Sequence, residues 1–165
     1  MFQRVLLAID KSPSSQVGVS FASALALEHG APIHVFHVNE ILIGGRGLTA
    51  STPAEANHLV ESALAQLRDA GVEATGAVRL GTVFNVPGRI VDAAHGWSAD
   101  TIVMGSKRHR HFGRLRGQGV RERVARLTPL PLLIAPAPLR ISSRARSQAG
   151  QLAQLDREFR STPSR

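Results

Sequence analysis

The chain of 165 residues has no cysteine, and aromatic side chains make up only 4% of it. Without a thiol there is no disulfide, no thiolate nucleophile and no zinc-thiolate centre, and a reducing cytoplasm is the expected compartment. The few rings do not alternate with charges, so sequence-specific RNA recognition lacks its stacking platforms. No stretch approaches the ~20 apolar residues of a membrane span. The opening apolar run is too short for a signal peptide and ends in Asp10 instead of a small-residue cleavage site. G-x-S-x-G, H-E-x-x-H and G-x-x-x-x-G-K-[ST] motifs are all missing. With Asp10 as the sole candidate for a positioned base, robust catalysis is not expected.

Charge is present but unevenly spread. The net value is +8, yet residues 1–104 hold six Lys/Arg against nine Asp/Glu. Residues 105–126 hold eight cations (Lys107, Arg108, Arg110, Arg114, Arg116, Arg121, Arg123, Arg126) against Glu122 alone, and residues 137–165 hold six against two. One internal segment and one tail thus carry the excess on a mildly acidic body, which points to a local anion site or an interaction tail. His109 and His111 lie among these arginines with no carboxylate nearby in sequence, so a metal site is not expected there.

Hydrophobic periodicity alternates between strand and helix along the chain. Arg4 to Ile9 reads as a strand, and Ser12-Pro13 opens a helix that runs to His29 and stops at Gly30. A second strand covers Pro32 to Val38, with His34 and His37 on opposite faces. Asn39 to Thr52 shows no clear period and reads as a mobile connection; its glycines lack the spacing of a dinucleotide fingerprint. From Thr52-Pro53 a helix is predicted with Ala56, Leu59, Val60, Ala63, Leu64 and Leu67 on one face. A strand over Val72–Leu80, weakened by Gly76, leads through a loop to a short helix at Gly88–His95. Trp97 reads as a partly buried anchor. Thr101–Met104 is a fourth strand, Gly119–Leu127 a fourth helix and Leu130–Ala135 a fifth strand. Residues 1–136 therefore form one α/β domain with a parallel sheet covered on both faces. Residues 137–165 are expected to be a disordered or loosely helical basic tail.

The segments Val5-Leu6-Leu7-Ala8-Ile9-Asp10-Lys11-Ser12, His37-Val38 and Ala99-Asp100-Thr101-Ile102-Val103-Met104-Gly105-Ser106 resemble the universal stress protein family. So do Val120–Val124 and Pro129–Ile134, and together they carry the resemblance over residues 2–136. It implies a five-stranded sheet of order 3-2-1-4-5 and a stress-response or regulatory role. It also implies a homodimer pairing through the last strand, where Leu132, Leu133 and Ile134 lie, and an adenine nucleotide such as ATP, with magnesium only alongside it. The implied site comprises Ala8, Ile9, Asp10, Val38, Met104 and Gly105 on the base and ribose side. Ser106, Arg108, Gly117, Gly119 and Val120 complete it around the basic loop.

Nucleotide-binding members of the family carry G-x-x-G-x9-G-[ST] after the fourth strand. Here Gly105 takes the first position, but Arg108, Gln118 and Gly119 take the other three; shifting the end brings in Gly117 and Gly119 and leaves the second glycine unrestored. Two readings stay open. The arginines of 107–116 hold a phosphate by charge-assisted hydrogen bonds, or they form a solvated surface and nucleotide binding is weak or lost. Asp10 reads as a ribose or metal ligand, with a cap on the following helix as the alternative, while Val38 and Met104 also read as plain core. Two other functions are carried alongside: an anion- or nucleic-acid-binding module built on the basic loop and tail, and a slow ATP hydrolase.

Overall fold

The computed structural model describes residues 2–42, 44, 47–106 and 119–136. In chain order the elements are β1 (Val5–Ile9), α1 (Pro13–His29), β2 (Ile33–Glu40), α2 (Pro53–Asp69), β3 (Ala74–Gly81), α3 (Val86–Gly96), β4 (Thr101–Met104), α4 (Val120–Leu127) and β5 (Leu132–Ile134). The five strands form one parallel sheet of order β3-β2-β1-β4-β5. Parallel neighbours need a crossover between them, and the helices supply it while covering both faces.

Every residue of β1 and β4 is buried, which is why these strands read as continuous apolar runs instead of alternating. Val5, Leu7 and Ile9 face a core shared with α1 and α2. Leu6 and Ala8 face the other way, into a core shared with α3 and α4. Leu6, Leu7, Ile33, Leu67 and Ile102 are fully buried, each contributing roughly 1.5–3 kcal/mol of apolar burial. The predicted face of α2 is the observed one: Ala56, Val60, Ala63, Leu64 and Leu67 are buried. Thr52 and Glu55 close a reciprocal capping box at its start. Gly76, which weakened the β3 reading, has a packing reason. A Cβ there would lie 2.6 Å from Val60 Cγ1 and 3.3 Å from Leu64 Cδ1, so its absence lets α2 settle onto the sheet.

Two boundaries shift from their sequence expectations. Helix α3 begins at Val86, with Pro87 in its first turn and Asn85 as N-cap residue, because proline is tolerated where an N–H has no helical acceptor. The connection from Asn39 to Thr52, read as mobile, is tied at both ends. Asn39 Nδ2 donates to the Ser51 carbonyl (2.9 Å), Asn39 Oδ1 accepts from the Ser51 N–H (3.1 Å), and Ile41 bridges Thr49. Buried amide pairing of this kind replaces hydrophobic periodicity as the ordering force, so a periodicity reading passes over it. The basic tail of residues 137–165 lies outside the described residues.

Candidate functional site

From β1 the chain winds through α1 to β2 on one side, while β4 pairs with β1 on the other. The winding therefore reverses between β1 and β4, and a crevice opens beyond the carboxyl ends of these strands. Ala8 lies opposite Met104 in register, so the turns at Asp10 and Gly105 leave the sheet side by side.

Asp10 organises the first turn. Its Oδ1 accepts from the Ser12 N–H and from the Ser15 hydroxyl, both at 2.8 Å, while the Asp10 N–H donates to Ser15 Oγ at 2.8 Å. Ser12 holds the N-cap position with extended backbone but makes no side-chain capping bond; the carboxylate two residues earlier supplies the acceptor. Behind this turn, His37 Nδ1 is 3.0 Å from the Ile9 carbonyl. A carbonyl only accepts, so Nδ1 carries the hydrogen. At Gly105 the constraint is space. A Cβ there would sit 2.6 Å from the Ser14 carbonyl oxygen and 2.8 Å from its carbon. Only glycine lets β4 exit flush against the first turn of α1.

These turns border a cavity of about 300 Å³ on the α3/α4 side of the sheet. Its apolar wall comes from Ala8, Phe36, Val38 and Met104 on the strands and from Val86, Ile90 and Val120 on the helices. Four charged residues, Asp10, Glu40, Arg121 and Glu122, also line it. Helix α4 starts at Gly119 without a side-chain cap, and the Glu122 carboxylate folds back against that glycine, answering part of the positive end of the helix dipole. Arg123 ties α4 to the β3–α3 loop by donating to the carbonyls of Val83 (3.4 Å) and Phe84. Among the described residues no group of three or more His, Asp or Glu side chains is placed to hold a metal ion. Likewise, no helix among them is long and apolar enough to cross a membrane.

Of the residues singled out from the sequence, Ala8, Ile9, Asp10, Val38, Met104, Gly105, Gly119 and Val120 line this one cavity. Ser106 does not line it; its hydroxyl is buried with no hydrogen-bond partner among the described residues. Arg108, Gly117 and the rest of 107–118 lie outside the described residues. Sequence reasoning passed over Phe36, Glu40, Val86, Ile90, Ser12, Ser15, Arg121 and Glu122. For Phe36 and Glu40 the signal was present, since both share the face of Val38 at period two.

Away from the cavity, Trp97 is half-buried as expected, with the Arg4 guanidinium 4.2 Å above its ring centroid and His34 stacked at 5.4 Å. Burial, and secondarily the positive charge of Arg79, hold His34 below its ordinary pKa of 6.5. The unfolded chain therefore takes up this proton first as pH falls. The contribution is in place above pH 6.5 and is lost as pH drops through the depressed folded value. A ring-proton NMR titration is expected to place His34 below 6.5, with Arg79→Gln raising it part of the way; a midpoint at or above the ordinary value would contradict this.

Comparison with known proteins agrees with this architecture. The chain is similar to a universal stress protein from Burkholderia pseudomallei at 23% identity, with TM-score 0.63, 82% of this chain and 96% of the other being covered. It is similar to the universal stress protein of Archaeoglobus fulgidus solved in complex with dAMP, at 24% identity and TM-score 0.62, covering 81% and 98%. A universal stress protein in complex with cAMP aligns at 24% identity and TM-score 0.63, covering 82% and 97%. No curated protein matches this chain. The universal stress protein family model matches residues 1–136, and with the order β3-β2-β1-β4-β5 already in place, the chain belongs to the universal stress protein family.

Proposed function

We propose that residues 1–136 act as a stress-response regulatory domain that holds an adenine nucleotide in the cavity between the Asp10 and Gly105 turns. The observation that carries this reading is the cavity itself, about 300 Å³ with an apolar wall and an aspartate at its rim, set where the winding of the sheet reverses. An apolar slot of that size accepts a flat base, and Asp10 offers an acceptor for ribose hydroxyls. The complexes with dAMP and cAMP described for two similar proteins support a nucleotide of this class. Asp10 would also be the residue to meet a magnesium ion arriving with a nucleotide. We infer binding without turnover, since none of the hydrolase motifs G-x-S-x-G, H-E-x-x-H and G-x-x-x-x-G-K-[ST] occurs in the sequence. The anion- or nucleic-acid-binding alternative rests on 107–118 and 137–165, outside the described residues, and gains no support. Subunit pairing along the outer edge of β5, where Ile134 is 39% exposed, is the assembly we infer.

Calorimetric titration with AMP, cyclic AMP and ATP tests the reading. Saturable binding is expected, with Kd on the order of tens of micromolar, near −6 kcal/mol, and no phosphate release from ATP. Absence of heat with all three nucleotides at millimolar concentration would remove it.

A further inference from the structure

We propose that Glu40 is the specificity-determining residue of this cavity, its carboxylate accepting a hydrogen bond from the exocyclic amine of the bound base. The proposal rests on the nucleotide reading above and extends it to the choice of base.

Phe36, Val38 and Glu40 alternate along β2 and all three line the cavity, so Glu40 lies one step beyond the apolar wall at the sheet's carboxyl edge. Its backbone is fixed there: the Glu40 carbonyl accepts from the Ala50 N–H at 2.7 Å, and Ile41, the next residue, donates to the Gly81 carbonyl at 2.6 Å. Among the described residues Glu40 makes no side-chain hydrogen bond, and their ion pair is Lys11 with Glu55. A carboxylate is acceptor-only, so a donor on whatever fills the cavity finds acceptors free at this edge.

The orientation follows from charge. Strands β2 and β4 flank β1, which sets their ends ~10 Å apart at ordinary strand spacing. Glu40 repels a phosphate, so the uncharged base is the part of the nucleotide that the β2 end admits. The base then falls against Phe36 and Val38 with its edge toward Glu40. A carboxylate is acceptor-only, so it pairs with the amine of adenine and opposes the carbonyl that hypoxanthine carries at the same position.

Titration of the full chain with AMP and IMP, for the native protein and Glu40→Gln, decides the matter. AMP is expected to bind ~10–100-fold more tightly than IMP in the native protein, the range of a hydrogen bond to a charged group. In Glu40→Gln the ratio falls toward one, because an amide offers a donor as well as an acceptor. Equal affinity for the two nucleotides, or a preference that survives Glu40→Gln, overturns the role of Glu40 while leaving the nucleotide site standing. Dependence on Glu40 that appears only on comparing AMP with its 2′- and 3′-deoxy forms also overturns it, assigning the carboxylate to ribose. Failure of every nucleotide to bind the native protein overturns the site and this proposal together.

Discussion

Gly105→Ala is expected to destabilise the domain by roughly 1–3 kcal/mol, the range for overpacking a closed interior, and to abolish nucleotide binding. The added Cβ would lie 2.6 Å from the Ser14 carbonyl oxygen and 2.8 Å from the Ser14 carbonyl carbon. Both atoms belong to the main chain of α1, so no rotamer change relieves the contact, and the helix must back away from β4. That movement carries Ser15 with it and breaks the hydrogen bonds that hold Asp10 at the cavity rim. Gly88→Ala supplies the control. A Cβ at position 88 meets nothing within 4 Å, and replacing glycine within helix α3 is expected to stabilise by up to about 1 kcal/mol through helix propensity. Urea unfolding followed by the fluorescence of the single Trp97 measures both variants. Opposite signs are expected, and a Gly105→Ala protein as stable as the native one would mean that α1 does not press on the β4 exit as described.

Asp10→Ala is expected to combine a stability loss with a loss of binding that Asp10→Asn separates. The alanine variant strands the Ser12 N–H and the Ser15 hydroxyl, both of which now reach Asp10 Oδ1 at 2.8 Å. An unsatisfied, partly buried donor costs about 1–3 kcal/mol. Asparagine keeps an acceptor oxygen at the same place, so the turn and most of the stability are retained while the charge is lost. Nucleotide affinity is expected to fall at least ~10-fold in Asp10→Asn, as a hydrogen bond to a charged acceptor becomes one to a neutral acceptor, and beyond detection in Asp10→Ala. Unchanged affinity in both variants would reduce Asp10 to a cap for α1 and remove it from the site.

Much of this protein was legible from the chain. Apolar runs such as Val5–Ile9 and Thr101–Met104 announced strands buried on both faces, because a parallel sheet between helix layers leaves no solvent side to encode. The face of α2 was readable for the complementary reason: one side meets the sheet and the other meets water. Glu40 was passed over although it shares the face of Val38 at period two, since a carboxylate at a strand end reads first as a solvated charge. Val86 was missed because Pro87 was taken to end a loop when it begins a helix. The Asn39–Ser51 pairing left no periodic trace at all.

The sequence by itself determined the order of strands and helices and the double-sided burial of β1 and β4. Local pattern suffices there because each strand or helix carries the imprint of its own burial. Only the tertiary structure decided that Asp10 caps α1 and borders the cavity at once, that Glu40 lines the slot, that the exit of β4 needs glycine at 105, and that Glu122 turns back on the start of α4. Those facts depend on which ends of distant segments meet, and that is set by the reversal of winding between β1 and β4 rather than by any stretch of neighbouring residues.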